Sequence, residues 1–135
     1  MQFRKEGEKW ILVLERGEEV VGSLNDFFKK QGIQGGFLFG IGALKNVELF
    51  TYNFKTRKYD SETFSGEGFE LLSFIGDVTE TGLHAHVTLS GEDYKAFGGH
   101  LCKAVVAVTI EAVLLPAKEI KRELDEESGL KLMKL

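Results

Sequence analysis

The chain carries only three histidines, His84, His86 and His100, and all fall within one short stretch. The segment Leu83-His84-Ala85-His86-Val87-Thr88-Leu89-Ser90 alternates strictly, with Leu83, Ala85, Val87 and Leu89 on one face and the histidines, Thr88 and Ser90 on the other. On a strand, residues two apart share a face at a separation of about 6.5–7 Å. Two imidazoles so placed can reach one ion at metal–nitrogen distances of about 2.0–2.1 Å. The third, His100, follows Gly98-Gly99. A glycine pair permits unusual backbone angles or close approach to another chain or a ligand. Three converging histidines make a site with one open coordination position, as zinc enzymes have. The competing reading is three ordinary histidines on a solvated strand face.

Two carboxylates are further candidates. Glu111 interrupts an otherwise apolar run and needs a partner if buried. It is a candidate fourth ligand or acceptor for a histidine N–H, and pairing with an arginine serves it equally well. Glu111 or Glu67 would be the general base if a bound metal polarised water or a carbonyl. Other reactive types offer less. Cys102 sits in the apolar setting Leu101-Cys102-Lys103-Ala104 and reads as a structural cysteine. Ser23, Ser65, Ser73 and Ser90 lack a nucleophile elbow. The glycine-rich run Gly35–Leu44 lacks the lysine and hydroxyl residue of a phosphate loop. Gly40 and Gly42 within it read as positions where strands pack tightly.

The elements that must position these residues follow from periodicity. Residues 9–16 form a short apolar run, a buried strand. From Glu18 to Gln31, Val20, Val21, Leu24, Phe27 and Phe28 share one helical face, with Glu18 and Glu19 in the first turn and Gly32 as the C-terminal cap. Strand-like runs occupy 33–41, 47–54, 58–64, 69–79, 83–90 and 104–115, the last apolar on both faces and therefore central. Pro116, the only proline, ends it. Residues 119–125 read as one or two helical turns with Ile120 and Leu124 inward, in a charged run, 118–127, that forms a solvated face. Residues 130–135 alternate like an edge strand. One helix followed by many strands defines a single α+β domain over residues 1–135, its main helix packed on a largely antiparallel sheet.

Composition narrows the partners. At 135 residues and 43% hydrophobic content the chain can bury a core without staples, and a single cysteine rules out an internal disulfide. A net charge of −4 is poorly suited to neutralising phosphates. The opening residues contain no apolar leader and no stretch approaches a membrane span, so a cytoplasmic protein is expected.

In order and spacing, Gly40-Ile-Gly-Ala-Leu44, Gly66-Glu-Gly-Phe-Glu-Leu-Leu-Ser-Phe-Ile-Gly76, His84-Ala-His86, Gly98-Gly-His-Leu101 and Thr109-Ile-Glu-Ala-Val113 resemble the plant-and-prokaryote-conserved (PPC) domain. The resemblance runs from about residue 3 to the C-terminus. It implies a compact α+β fold assembled as a homotrimer, with protein partners among transcription factors in plant relatives. Stand-alone prokaryotic members carry a DNA-binding label. The minor-groove arm of the plant proteins, Arg-Gly-Arg-Pro, is missing, and Arg16-Gly17 alone does not replace it. Three readings follow. The first is a homotrimeric binding and assembly module whose histidines hold a divalent metal, zinc foremost, or a small ligand. The second is a metal-dependent hydrolase or lyase using the same cluster, and the third a transcription-associated DNA-binding protein by family analogy.

Overall fold

The structure, a computed structural model, describes residues 1–66 and 68–135. Its elements are β1 (Gln2–Glu6), β2 (Lys9–Glu15), α1 (Val20–Gln31), β3 (Gly36–Asn53), β4 (Lys58–Phe64), β5 (Phe69–Thr79), β6 (Gly82–Ser90), β7 (Ala96–Pro116), β8 (Lys121–Leu124) and β9 (Lys131–Lys134). Seven strands form one antiparallel sheet in the order β1-β2-β7-β6-β5-β3-β4. A further pairing of β3 with β7 closes β7, β6, β5 and β3 into a ring. Strands β8 and β9 form a separate two-stranded hairpin.

Two long strands organise this sheet, and each absorbs what the sequence presents as separate pieces. Along β3, Leu38 and Leu44 face the core, yet so do Val47 and Leu49, which have the opposite parity. The change of phase falls at Asn46, whose φ of 50° places it in the left-handed region. Asparagine tolerates that region, and the register with β7 shifts there as at a β-bulge. A bulge inserts one residue and lets a bent strand keep burying apolar side chains after it turns. Strand β7 starts at Ala96, so His100 lies on a strand and not in a connection. Pro116 is its last residue.

Helix α1 buries Val20, Leu24, Phe27 and Phe28 against Leu12 and Leu14 of β2 and the inward residues of the ring. Glu18 and Glu19 precede the helix instead of forming its first turn. Glu19 has extended backbone and caps the helix, its carboxylate accepting from the Val21 and Gly22 amides at 3.2 and 2.6 Å. Gly32 takes φ 67° as the C-terminal cap.

The C-terminal region departs from the helical reading of residues 119–125. Lys121–Leu124 is a strand paired with Lys131–Lys134. Ile120 is buried, whereas Leu124 is exposed. A spacing of four residues fits one face of either a helix or a strand, so the apolar pair could not distinguish them. The turn chemistry decides it. Asp125 accepts from the Ser128 amide and hydroxyl at 2.8 and 2.6 Å, and Gly129 turns the chain at φ 74°, delivering residues 131–134 to a partner. Strand β1, absent from the sequence reading, pairs with β2 along Gln2–Glu6.

Candidate metal centre

Strand β6 keeps its predicted alternation up to Leu89: Ala85, Val87 and Leu89 are buried and the histidines point away from the core, whereas Ser90, expected on the histidine face, is buried. His86 and His100 are direct cross-strand partners in the pairing of β6 with β7. His84, one pleat along, completes the group. Ring centroids lie 5.1 Å apart for His84–His86, 4.9 Å for His84–His100 and 5.5 Å for His86–His100. One ligand atom from each ring falls within 4.8 Å of the others. Tetrahedral zinc holds its nitrogens at about 2.0–2.1 Å, which sets them about 3.3 Å from one another, and that arrangement lies inside this bound.

The glycines before His100 act within the chain. Neither Gly98 nor Gly99 has a positive φ. A Cβ on Gly98 would stand 2.1 Å from the Val87 carbonyl oxygen, and one on Gly99 would stand 3.1 Å from that of Phe50. These glycines let β7 lie close to β6 and β3, the intimacy that brings His100 beside His86. Gly40 and Gly42 serve the β3–β7 contact in the same way, with Cβ positions 2.5 and 2.1 Å from the Glu111 and Thr109 carbonyl oxygens.

The protonation state suits a metal. Burial, reinforced by the charge of His84, pushes the His86 pKa below the usual imidazole value. Burial pushes His100 down to about 4, with further contributions from His84, His86 and Arg122. Both rings are therefore neutral near pH 7 and keep a lone pair for a cation. His84 has a carboxylate behind it: its Nδ1 lies 2.9 Å from Asp77 Oδ2. An imidazole donating Nδ1–H to a carboxylate presents Nε2 as the ligand atom. Phe50 lies parallel to His100 at 6.2 Å, and Tyr59 flanks it at 6.3 Å, giving that ring an aromatic wall. The donor set therefore fits a divalent ion such as zinc, with His86, only partly desolvated, the most exposed of the three rings and one coordination position left for another ligand.

Glu111 is not part of this group. It stands eleven residues beyond His100 on β7, opposite Val13 and Ile41, and it is exposed. Within one chain its side lies on an open face beside Ile41, Val108 and Leu72, away from the histidines. The carboxylate that serves the histidines is Asp77. Glu67 lies outside the described residues. Cys102 is half-buried, and burial, followed by the charges of Glu48 and Glu19, raises its thiol pKa, as suits a structural cysteine.

Asp77 and Arg122 were missed in the sequence. Asp77 was legible in principle: of the two acids in the run 69–79, Glu70 and Asp77, counting back from the turn at Glu80–Thr81 places Asp77 opposite His84. Arg122 carried no local signal, since it sits in the charged stretch assigned to a solvated face. Its side chain is in fact only 14% exposed.

A histidine triad on the outer face of a closed antiparallel sheet, backed by one capped helix, defines an α+β domain with a candidate metal centre. The chain belongs to the Plants and Prokaryotes Conserved (PCC) domain family, the PPC domain of the motif resemblance; the family's model matches residues 1–118. The chain is similar to a candidate DNA-binding protein from Bacteroides thetaiotaomicron, 33% identical with a TM-score of 0.93, covering 98% of this chain and 96% of that one. It is also similar to a PPC protein from Pyrococcus horikoshii, at 30% identity and a TM-score of 0.84, covering 99% and 95%. A metal-containing protein from Archaeoglobus fulgidus matches at 28% identity and a TM-score of 0.85, covering 100% and 99%. Among curated proteins, the bifunctional protein GlmU of a Synechococcus strain is 26% identical over 117 residues, which are 84% of this chain but only 18% of that protein.

Proposed function

We propose that this protein is a homotrimeric binding and assembly module whose His84, His86 and His100 hold a divalent metal, zinc foremost, with one position open to a small ligand. The observation that carries the reading is the convergence of every histidine of the chain on one patch, within ligand-sharing distance. The Archaeoglobus fulgidus neighbour, named as metal-containing, supports it. A bound divalent ion would supply Lewis acidity or a structural tie between β6 and β7. The assignment is tested by zinc titration calorimetry and elemental analysis on protein stripped with chelator and reloaded. One equivalent per chain is expected. His84→Ala, His86→Ala and His100→Ala should each weaken uptake at least 100-fold, and unchanged uptake in any two of them would refute the ligand set.

Assembly is supported by an outer sheet face that a lone chain leaves bare. Phe37, Phe39, Ile41, Leu72, Ile75, Val108 and Leu115 are each about half exposed, and their registers join them into one patch across β5, β3 and β7. Contiguous apolar area of this kind marks an interface. Ile75 of this patch is the cross-strand partner of His86, so the histidine site borders the face a second copy would cover.

The enzyme reading has less to stand on. Asp77 is engaged by His84 and Arg122, and Glu111 lies elsewhere on β7, so neither stands free as a general base beside the histidines. DNA binding enters through the naming of the Bacteroides neighbour, and a net charge of −4 gives it little footing. No helix among the described residues is long and apolar enough to cross a membrane, and we place the protein in the cytoplasm on the sequence reading.

A further inference from the structure

The carboxylate behind His84 is itself held by an element that the family match does not reach. Residues matched by the family end at 118, and the hairpin of β8 and β9 follows. It is anchored at its start and at its turn. The Ile120 amide donates to the Gln34 carbonyl at 3.0 Å, and the Ile120 carbonyl accepts from the Glu80 amide at 3.0 Å. The Arg122 amide donates to Glu80 Oε1 at 3.0 Å, and the Tyr52 hydroxyl donates to the Ser128 carbonyl at 2.6 Å. From this support Arg122 reaches the site. Its Nη2 donates to Asp77 Oδ1 at 2.5 Å and its Nη1 to the Lys131 carbonyl at 3.0 Å. The Arg122 and Asp77 side chains are each only 14% exposed.

We propose that Arg122 is a positioning residue of the histidine site: it fixes the Asp77 carboxylate, which in turn holds His84 with its proton on Nδ1 and its Nε2 lone pair free for a metal. Two contacts at Nδ1 compete to set the tautomer. Asp77 Oδ2 lies 2.9 Å away and Arg122 Nη2 3.2 Å away. A neutral imidazole nitrogen cannot donate to the first and accept from the second. The carboxylate can only accept, so a bare lone pair facing it would be repelled. The guanidinium already has Asp77 Oδ1 and the Lys131 carbonyl for its protons. The proton therefore belongs on Nδ1, and the approach of Arg122 to the ring is a consequence of clamping Asp77. The arginine fork matters as well as the charge, because its two ends tie β5 to β9 and leave Asp77 one orientation.

This inference rests on the divalent-metal reading for its consequence but not for its first test. In metal-free protein, nitrogen-15 spectra of His84 should show a single Nδ1–H tautomer, and Arg122→Lys should show a mixture. A wild-type His84 in the Nε2–H form would overturn the positioning role whether or not metal binds. Conversely, a clean Nδ1–H tautomer in a protein that takes up no zinc would refute the metal reading alone. In zinc-binding protein, Arg122→Lys keeps the charge, so its effect reports the lost fork. Affinity should fall about 10- to 100-fold, the range for removing a group that supports a metal ligand. Arg122→Ala also removes a positive charge, which by itself favours a cation, so it should fall by no more than the lysine variant does. Thermal melts of the metal-free variants separate this from unfolding. Unchanged or tighter zinc binding in Arg122→Lys, in protein that melts like wild type, would overturn the proposal.

Discussion

At the scale of single residues, the site combines groups that differ in how visible they were. His84, His86 and His100 announced themselves because alternation along a strand fixes which side chains share a face. Asp77 needed the hairpin register, and Arg122 needed the three-dimensional path of a segment whose charges suggest only solvent. A partner supplied across a long sequence separation leaves no periodicity behind, which is why Glu111 looked the better acid. The state of His100 leads to a testable pH dependence. Its pKa is pushed down to about 4 in the fold, first by burial, against 6.5 ordinarily. Between those values the unfolded chain binds more protons than the native one, so stability falls as pH drops from about 6.5 towards 4 and this contribution then levels off. Above about 6.5 the group adds no slope. Urea unfolding of metal-free protein should show the decline, and His100→Phe should reduce it, with His86 leaving a residual slope of the same sign. An undiminished slope in His100→Phe would place its origin elsewhere.

At the scale of elements, the helix was legible almost to the residue, because five apolar side chains on one face and a terminal glycine point the same way. Strands were legible as segments but not as the two long bent ladders they form. The sequence shows a gap between the runs 33–41 and 47–54, whereas the fold carries one strand across it through register shifts at Gly42–Leu44 and around Asn46, where the buried parity changes. The same holds for β7, whose stretch around His100 has exposed glycine and a partly buried partner instead of clean alternation. Gly98 is where element packing and the site meet. A methyl group there meets the Val87 carbonyl, part of the β6 backbone and not a side chain that could swing away. Gly98→Ala should therefore push β7 from β6, with a loss of about 1–3 kcal/mol in urea unfolding. Zinc affinity should fall with it, since His86 and His100 are paired across that same ladder. A variant as stable as wild type would show that the strands yield there at little cost.

At the scale of the whole molecule, the question is what covers the outer face of the sheet. Apolar residues on both sides of β7 led to the expectation of a central strand. It is central in pairing, with β2, β6 and β3 as neighbours, yet Val108 and Leu115 on its outer side remain exposed. Both facts are reconciled if copies of the chain bury that face against one another. Phe39 tests this without disturbing the monomer: it is 49% exposed and sits between Ile75 and Val113 across the ladder. In a trimer, Phe39→Asp would carry a carboxylate into each apolar interface, where an unpaired charge is strongly disfavoured. Light scattering at micromolar concentration should give three copies of the 15.1 kDa chain for wild type and one copy for the variant, with unchanged helical circular dichroism. Each copy carries a charge of −4, so salt should strengthen wild-type association by screening repulsion, whereas salt weakens contact with phosphates. A monomeric wild type, or a trimer indifferent to Phe39→Asp, would mean that this face is not where copies meet. Because His86 lies across the ladder from Ile75 on the border of the patch, zinc affinity measured on the dissociated variant also reveals whether a neighbouring copy contributes to the site.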